Sequence, residues 1–533
     1  MHASVRSLAL SGVDAFEISV EASIAGGLPG VYVVGLPDTA VREARERVRS
    51  ALRAARLTLP PSRMVVNLAP ADVRKEGPAF DLPIALALLA AQGRVPNGRL
   101  RDAAVVGELG LDGRVRPVRG VLAVALAARD AGCQVLVVPL DQADEARSVP
   151  GLRVVAVGSL LEAIAWARGE ATVEPARAAS VAAPCSAGAA LDLRDVRGQL
   201  VAKRALEVAA VGRHHVLLIG PPGSGKTMLA ERLAGLLPPL SQADALEVAR
   251  LHALAGTSRH PRDLCAPWRA PHHSVSLPGL IGTPTSLGEL SLAHGGVLFM
   301  DEWPEFDRRA LEALREPLEA RVLELVRARG RRRLPADVQL VAAMNPCPCG
   351  LAGDPRRSCA CTPATRRRYL ARVSGPLFDR MAIRVVVPAP WAGGGSGHRS
   401  GHRSGHGSAL GSALAATDLG TAGRRSAAVS APESTVVVAR RVAAARARSL
   451  RRQGCPNGAL SGASLARHAA LCEAASALLQ GARANGRLGE RGIDDVTRVA
   501  RSLADLAERI SVAVDDVAEA LAFRAELHTD DAP

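Results

Sequence analysis

Apolar and polar positions in the first third of the chain switch between two rhythms. Short β-rich runs occur at 16–20 and 64–68, whereas stretches such as 39–55 repeat Ala, Leu and Arg in a helical pattern. That mixture over residues 1–168 predicts an α/β domain. Residues 169–190 are rich in Ala, Pro and Ser, show little periodicity, and read as a linker. A second α/β domain is expected over 191–391. It holds three predominantly apolar runs, 216–220, 296–300 and 338–344, separated by helical stretches. Such runs are buried strands, and their spacing predicts a parallel sheet. Residues 392–432 are low in complexity, with Gly-His-Arg-Ser repeated at 397–400 and 401–404. His398, His402 and His406 allow a metal chelate there, but a flexible solvated insertion is the simpler reading. Residues 433–533 are helical in pattern as far as 527 and end in the acidic pair Asp530-Asp531.

The first apolar run of the second domain leads directly into Gly220-Pro221-Pro222-Gly223-Ser224-Gly225-Lys226-Thr227, and an apolar-periodic helix follows from Met228. Strand, glycine-rich loop and helix in that order make a phosphate cradle. Backbone N–H groups turn inward around the anion, and the helix N-terminus adds its positive dipole end. Lys226 reaches the outer phosphates, and the Thr227 hydroxyl binds Mg²⁺. The set from Gly220 to Met228 is therefore the candidate ATP site. The second run ends in Asp301-Glu302, which places a Mg²⁺-holding carboxylate beside a general base for the attacking water. The third ends in Asn345, whose amide can orient that water or sense the γ-phosphate. Arg380, in Ser374-Gly-Pro-Leu-Phe-Asp-Arg380, lies at the end of the domain. In a ring of subunits it can enter a neighbour's site as an arginine finger.

Charge sharpens these readings. The formal net charge is +15, which suits a polyanion such as nucleic acid, although a GC-rich genome that inflates Arg also accounts for it. Of 67 cationic residues only Lys75, Lys203 and Lys226 are lysines, leaving 64 arginines. Lys226 sits where a planar guanidinium fork does not fit and a compact ammonium does. No apolar run approaches the roughly 20 residues needed to span a bilayer, and the N-terminus leads into no signal-peptide core. Nine cysteines, four of them clustered, argue against a secreted disulfide scaffold. A cytoplasmic protein without membrane attachment is expected.

Beyond the loop, a series of stretches resembles the magnesium-chelatase-like AAA+ ATPases of the YifB/ComM type. They are Gly-Leu-Pro-Gly at 27–30, Val-Gly-Leu-Pro-Asp at 34–38, Asn-Leu-Ala-Pro-Ala-Asp at 67–72 and Pro-His-His-Ser at 271–274. Leu-Ser-Leu-Ala-His at 290–294, Leu-Arg-Glu-Pro-Leu-Glu at 314–319 and Ala-Ala-Met-Asn-Pro-Cys-Pro-Cys-Gly at 342–350 complete the set. The resemblance covers nearly the whole chain. It implies a Lon-protease-like N-terminal domain of the ribosomal S5 domain 2 type, a P-loop AAA+ module, and an α-helical lid. It further implies a hexameric DNA motor that drives branch migration of single-stranded DNA during natural transformation. Asn345 then takes the sensor 1 role, and Arg491, in Gly-Glu-Arg-Gly, falls where the lid-borne sensor 2 arginine sits. Three departures stand out: a long insertion at 392–432, no glycine-rich run within 282–288, and Met381-Ala382 where an acidic residue usually follows Arg380.

The resemblance also bears on proteolysis. Residues 75–81 are similar to the Lon nucleophile loop, yet Ala79 stands in place of the serine, and Val124 stands in place of the lysine. The N-terminal domain is thus expected to be a structural or DNA-facing module. Cys347, Cys349, Cys359 and Cys361 form two C-x-C pairs that can close a tetrahedral Zn²⁺ site, with reduced, unliganded cysteines as the alternative. The remaining cysteines are scattered. His272-His273 lies between the first two apolar runs, where a pore or packing role is expected. The segment Arg327-Ala-Arg-Gly-Arg-Arg-Arg333 suggests a hairpin tip turning at Gly330, able to grip phosphates by charge alone; a solvated basic face is the other reading. Scarce aromatics, 12 in the chain, favour tracking along a backbone over base stacking. A magnesium chelatase motor subunit acting on a porphyrin complex is the alternative function, disfavoured by the N-terminal domain.

Overall fold

The computed structural model describes residues 2–170, 191–389 and 433–524, apart from short breaks at 13, 37, 72–74, 76, 258, 284–285, 328–329, 355–356 and 487. Expectations for the linker, for Cys185 and for the histidines of the 392–432 segment lie outside the described residues.

Among the described residues nine strands come first: β1 (His2–Ser11), β2 (Asp14–Ala25), β3 (Gly30–Val34), β4 (Arg63–Ala69), β5 (Ala103–Val105), β6 (Glu108–Leu109), β7 (Val115–Arg116), β8 (Val135–Pro139) and β9 (Arg153–Val157). Seven form one mixed sheet in the order β3-β4-β2-β1-β5-β8-β9, while β6 and β7 make a separate short ribbon. β2 alternates buried and half-exposed positions through its middle, so a one-residue slip against β1 would turn its apolar set out of the core. The helix Asp81–Ala91 is buried at every residue, as its all-round apolar sequence requires. Its one charge, Asp81, is held by Arg47 through two hydrogen bonds of 2.6 and 3.0 Å and by the Leu109 amide at 3.2 Å. A carboxylate at that depth survives only when paired in this way. Ala79 lies in the middle of a short 3₁₀ turn, Pro78–Phe80, and Val124 is buried in the helix Val121–Asp130.

A second sheet contains β10 (Val216–Ile219), β11 (Trp268–Arg269), β12 (Val297–Met300), β15 (Gln339–Met344) and β16 (Ile383–Val386), with a hairpin of β13 (Val322–Arg327) and β14 (Gly330–Pro335) between. The sheet order is β11-β12-β15-β10-β16, and every pairing is parallel. The three apolar runs of the sequence are β10, β12 and β15, buried at all positions as a two-sided parallel sheet demands. In the hairpin Arg327 pairs with Gly330, so Gly330 opens the return strand rather than standing at the centre of a turn.

Among the described residues five α-helices follow, the longest being Thr435–Gln453 and Glu490–Leu506. They pack on the helix Leu200–Gly212 through Val438, Val442, Val499 and Leu503. The N-terminal unit touches the parallel sheet's helices through Arg119, which donates to the Leu254 carbonyl at 2.6 Å, and through an Arg250–Asp14 ion pair at 3.0 Å. No described helix is long and apolar enough to cross a membrane.

Candidate active site

β10 is where the parallel sheet changes direction of construction, with β15 on one side and β16 on the other. Ligands in such sheets bind beyond the carboxyl ends of the strands at that switch point. Here that end carries the glycine-rich loop. The Gly220 N–H donates to the Met344 carbonyl at 3.2 Å. A Cβ on Gly220 would stand 2.2 Å from the Val387 carbonyl oxygen, so only glycine fits. Gly223 and Gly225 have φ of +74° and +89°, a region that glycine enters freely. The helix Lys226–Ala234 starts two residues earlier than its apolar pattern indicated, and no side chain caps it. Its first N–H groups therefore face the loop free for an anion.

Lys226 is buried under that loop. Its Nζ donates to the carbonyls of Gly220 (2.8 Å) and Pro221 (2.9 Å) and to Asn345 Oδ1 (3.1 Å). Burial lowers its pKa, while Asp301 and Glu302 work the other way. A phosphate would relieve that cost. Ser224 Oγ is buried without a hydrogen-bond partner among the described residues. Thr227 Oγ1 donates to Asp301 Oδ2 at 2.7 Å, which puts a hydroxyl and a carboxylate oxygen side by side, the hard donors that Mg²⁺ takes. These features fit a Mg²⁺-bound nucleoside triphosphate.

Next to Asp301, Glu302 holds a left-handed backbone (φ +52°), and its N–H donates to Asp301 Oδ1 at 2.9 Å. The pore or packing expectation for His272-His273 did not foresee its neighbour: His273 Nδ1 lies 3.0 Å from Glu302 Oε2. The His272 and His273 rings lie with centroids 4.0 Å apart and planes tilted by 36°.

Arg380 and Arg491 are elsewhere. They line a cavity of about 370 Å³ together with Arg213, His215, Glu319 and Asp337. Arg213 and His215 precede β10, Asp337 precedes β15 and Arg380 precedes β16, so the cavity opens at the amino ends of the strands, across the sheet from Lys226. β10 has four residues, which sets the two edges about 13 Å apart along the strand. Glu319 Oε2 joins the pair, at 2.5 Å from Arg380 and 3.9 Å from Arg491. Arg380 also donates to the Pro376 carbonyl at 2.7 Å, and its side chain is only 9% exposed. In a single chain it does not project as a finger, and Arg491 is not beside its own loop.

The four clustered cysteines lie together. Cys347 Sγ is 3.4 Å from Cys349 Sγ and 3.6 Å from Cys359 Sγ, and all four sulfurs, Cys361 included, fall within 4.8 Å of one another.

Comparisons with known proteins bear on these sites. Family models match three stretches: magnesium chelatase, subunit ChlI, over 192–392; subunit ChlI of Mg-chelatase over 20–142; and the ChlI C-terminal region over 432–524. An uncharacterized protein of Mycobacterium tuberculosis is 44% identical over 527 residues, 97% of each chain. The uncharacterized protein YifB of Escherichia coli is 38% identical over 98% of this chain and 96% of its own length. Competence protein ComM of Haemophilus influenzae is 37% identical over 98% of this chain and 97% of its own. A Lon protease of Mycolicibacterium smegmatis is 30% identical over 188 residues, 33% of this chain, a partial likeness. The chain belongs to the magnesium-chelatase-like AAA+ ATPases of the YifB/ComM family.

Proposed function

We propose that the protein hydrolyses ATP in a hexameric ring and uses the release to drive DNA through branch migration. One observation carries this reading. Lys226, Thr227, Asp301 and Asn345 converge at one edge of the parallel sheet, while Arg380 and Arg491 converge at the other. A chain so built has half a site on each side, and a head-to-tail ring joins the halves. Each triphosphate then lies between two protomers, with Mg²⁺ on Thr227 and Asp301, Lys226 on the outer phosphates, and Glu302 activating water. Asn345 positions that water. Arg380 and Arg491 of the next protomer leave Glu319 for the γ-phosphate, where a cation in trans stabilises the charge that develops in transfer.

DNA as the moving partner rests on charge and on kinship. The net charge is +15, and the hairpin β13–β14 returns through Arg331, Arg332 and Arg333. The name of the Haemophilus influenzae relative, a competence protein, supports a role during natural transformation in the cytoplasm. The N-terminal unit acts without peptidase chemistry, since Ala79 and Val124 stand where a nucleophile and base are needed. The helices over 435–522 serve as the lid. Zn²⁺ on the four cysteines completes the set of bound ions.

The test is strand exchange on a three-strand DNA substrate with ATP. Joint-molecule movement by the wild type and none by Glu302→Gln supports the motor. ATP turnover that ignores DNA and responds to a porphyrin-binding partner instead supports the chelatase reading.

A further inference from the structure

We propose that Cys347, Cys349, Cys359 and Cys361 hold one Zn²⁺ and that this metal loop is the strut fixing the Asn345 amide against the Gly220–Thr227 loop. The second half of this statement rests on the nucleotide reading of that loop; the first does not.

The sulfurs are already arranged for a metal. A tetrathiolate zinc with Zn–S of about 2.3 Å wants sulfurs about 3.8 Å apart, and the contacts of 3.4, 3.5 and 3.6 Å are close to that tetrahedron. Cys347 is fully buried, Cys359 and Cys361 are half-buried, and all four are free of disulfides. Backbone amides supply outer support. Ala352 N–H points at Cys347 Sγ (3.3 Å), Cys361 N–H at Cys359 Sγ (3.4 Å), and the Leu351 amide at Cys349. Such N–H···S contacts orient thiolate ligands and are part of a metal site's design. Gly350, at φ +77°, supplies the sharp turn after the first, tightly spaced pair.

The same loop closes on the nucleotide site at both ends. A Cβ on Gly350 would lie 2.4 Å from Pro222 Cδ, so its backbone is in direct contact with the glycine-rich loop, and 3.8 Å from Asn345 Cγ. On the return, the helix Pro363–Leu370 carries Tyr369, which is buried and takes a hydrogen bond from the Asn345 backbone. The metal therefore ties a loop that leaves Asn345 at Cys347 and comes back to it at Tyr369. Without the ion, the closure entropy of that loop returns, and Pro222 and Asn345 lose a common support.

The experiment uses the full chain. Elemental analysis of purified wild type is expected to give one zinc per chain, and protein grown with Co²⁺ is expected to show thiolate-to-cobalt charge-transfer bands. Removing zinc with a chelator, or substituting the partly exposed pair as Cys359→Ser/Cys361→Ser, is expected to speed amide exchange at 220–227 and 342–350. ATP turnover should fall about tenfold or more. Re-adding zinc to chelated wild type restores both, which separates a lost strut from an unfolded variant. Gly350→Ala should keep its zinc yet disturb the same two segments. A wild type without zinc overturns the site. Unchanged exchange at 220–227 after zinc loss overturns the strut. Zinc and exchange behaving as stated in a protein that never hydrolyses ATP would instead sink the motor reading and leave the strut standing.

Discussion

Glu302 stands in a backbone conformation that costs a non-glycine residue of order 1–3 kcal/mol, beside Asp301 and against His273. Strain of that kind is tolerated where the side chain must point at a reacting atom. Glu302→Gln is expected to lower ATP turnover about 10²- to 10⁴-fold, the range a general base contributes, while nucleotide affinity in a binding titration stays near wild type. Two imidazoles, His214 buried and His215 half-buried, make a separate, pH-dependent prediction. Burial pulls the pKa of His214 down to about 3 and of His215 down to about 4. Arg498 and Arg446 add to the effect at His214, as do Arg321, Arg213 and Arg491 at His215, where Asp337 opposes them. Unfolded histidine titrates near 6.5, so on acidification the unfolded chain takes up protons that the folded chain refuses. Stability contributed by these groups is complete above about pH 6.5 and is lost as pH falls below it. His215→Gln should flatten the loss between about pH 6.5 and 4 by up to about 1.4 kcal/mol per pH unit, read from urea midpoints across that range.

At the scale of elements, the hairpin β13–β14 carries Arg327 on one strand and Arg331, Arg332 and Arg333 on its antiparallel partner. Replacing Arg327, Arg329 and Arg331–Arg333 with Ala is expected to weaken DNA binding and to reduce its salt dependence, with ATP affinity unchanged. Phosphate contacts act through counterion release, so the slope of affinity against salt should drop by roughly one for each contact removed. An unaltered slope would rule this hairpin out as a DNA contact.

Which elements could be foreseen follows from where their signals lie. β10, β12 and β15 were legible because a strand buried on both faces needs a predominantly apolar run, and the loop after β10 because phosphate cradling needs glycines in a fixed order. The pairing of Arg380 with Arg491 was not, since 111 positions of sequence separate two residues that meet only through Glu319. Nor was the contact of His273 with Glu302, which depends on how the segment after β11 folds back over β12. The cysteine cluster was half legible: its spacing suggested a metal, but its contact with Pro222 through Gly350 exists only in the folded chain.

For the whole molecule, the division of charged groups between the two sheet edges is the feature on which the proposed ring rests. In the proposed ring, Lys226 and Arg380 of one chain serve different nucleotides. Arg380→Ala should therefore depress turnover about 10³-fold or more, as for other trans-acting arginines, without loss of nucleotide binding. The most direct measurement mixes two inactive proteins, Lys226→Ala and Arg380→Ala, and follows ATP hydrolysis with DNA present. Turnover that is absent from each variant alone and returns on mixing is the predicted result, because some interfaces then pair an intact Lys226 with an intact Arg380. A mixture that co-assembles and remains inactive would contradict a site shared between neighbours.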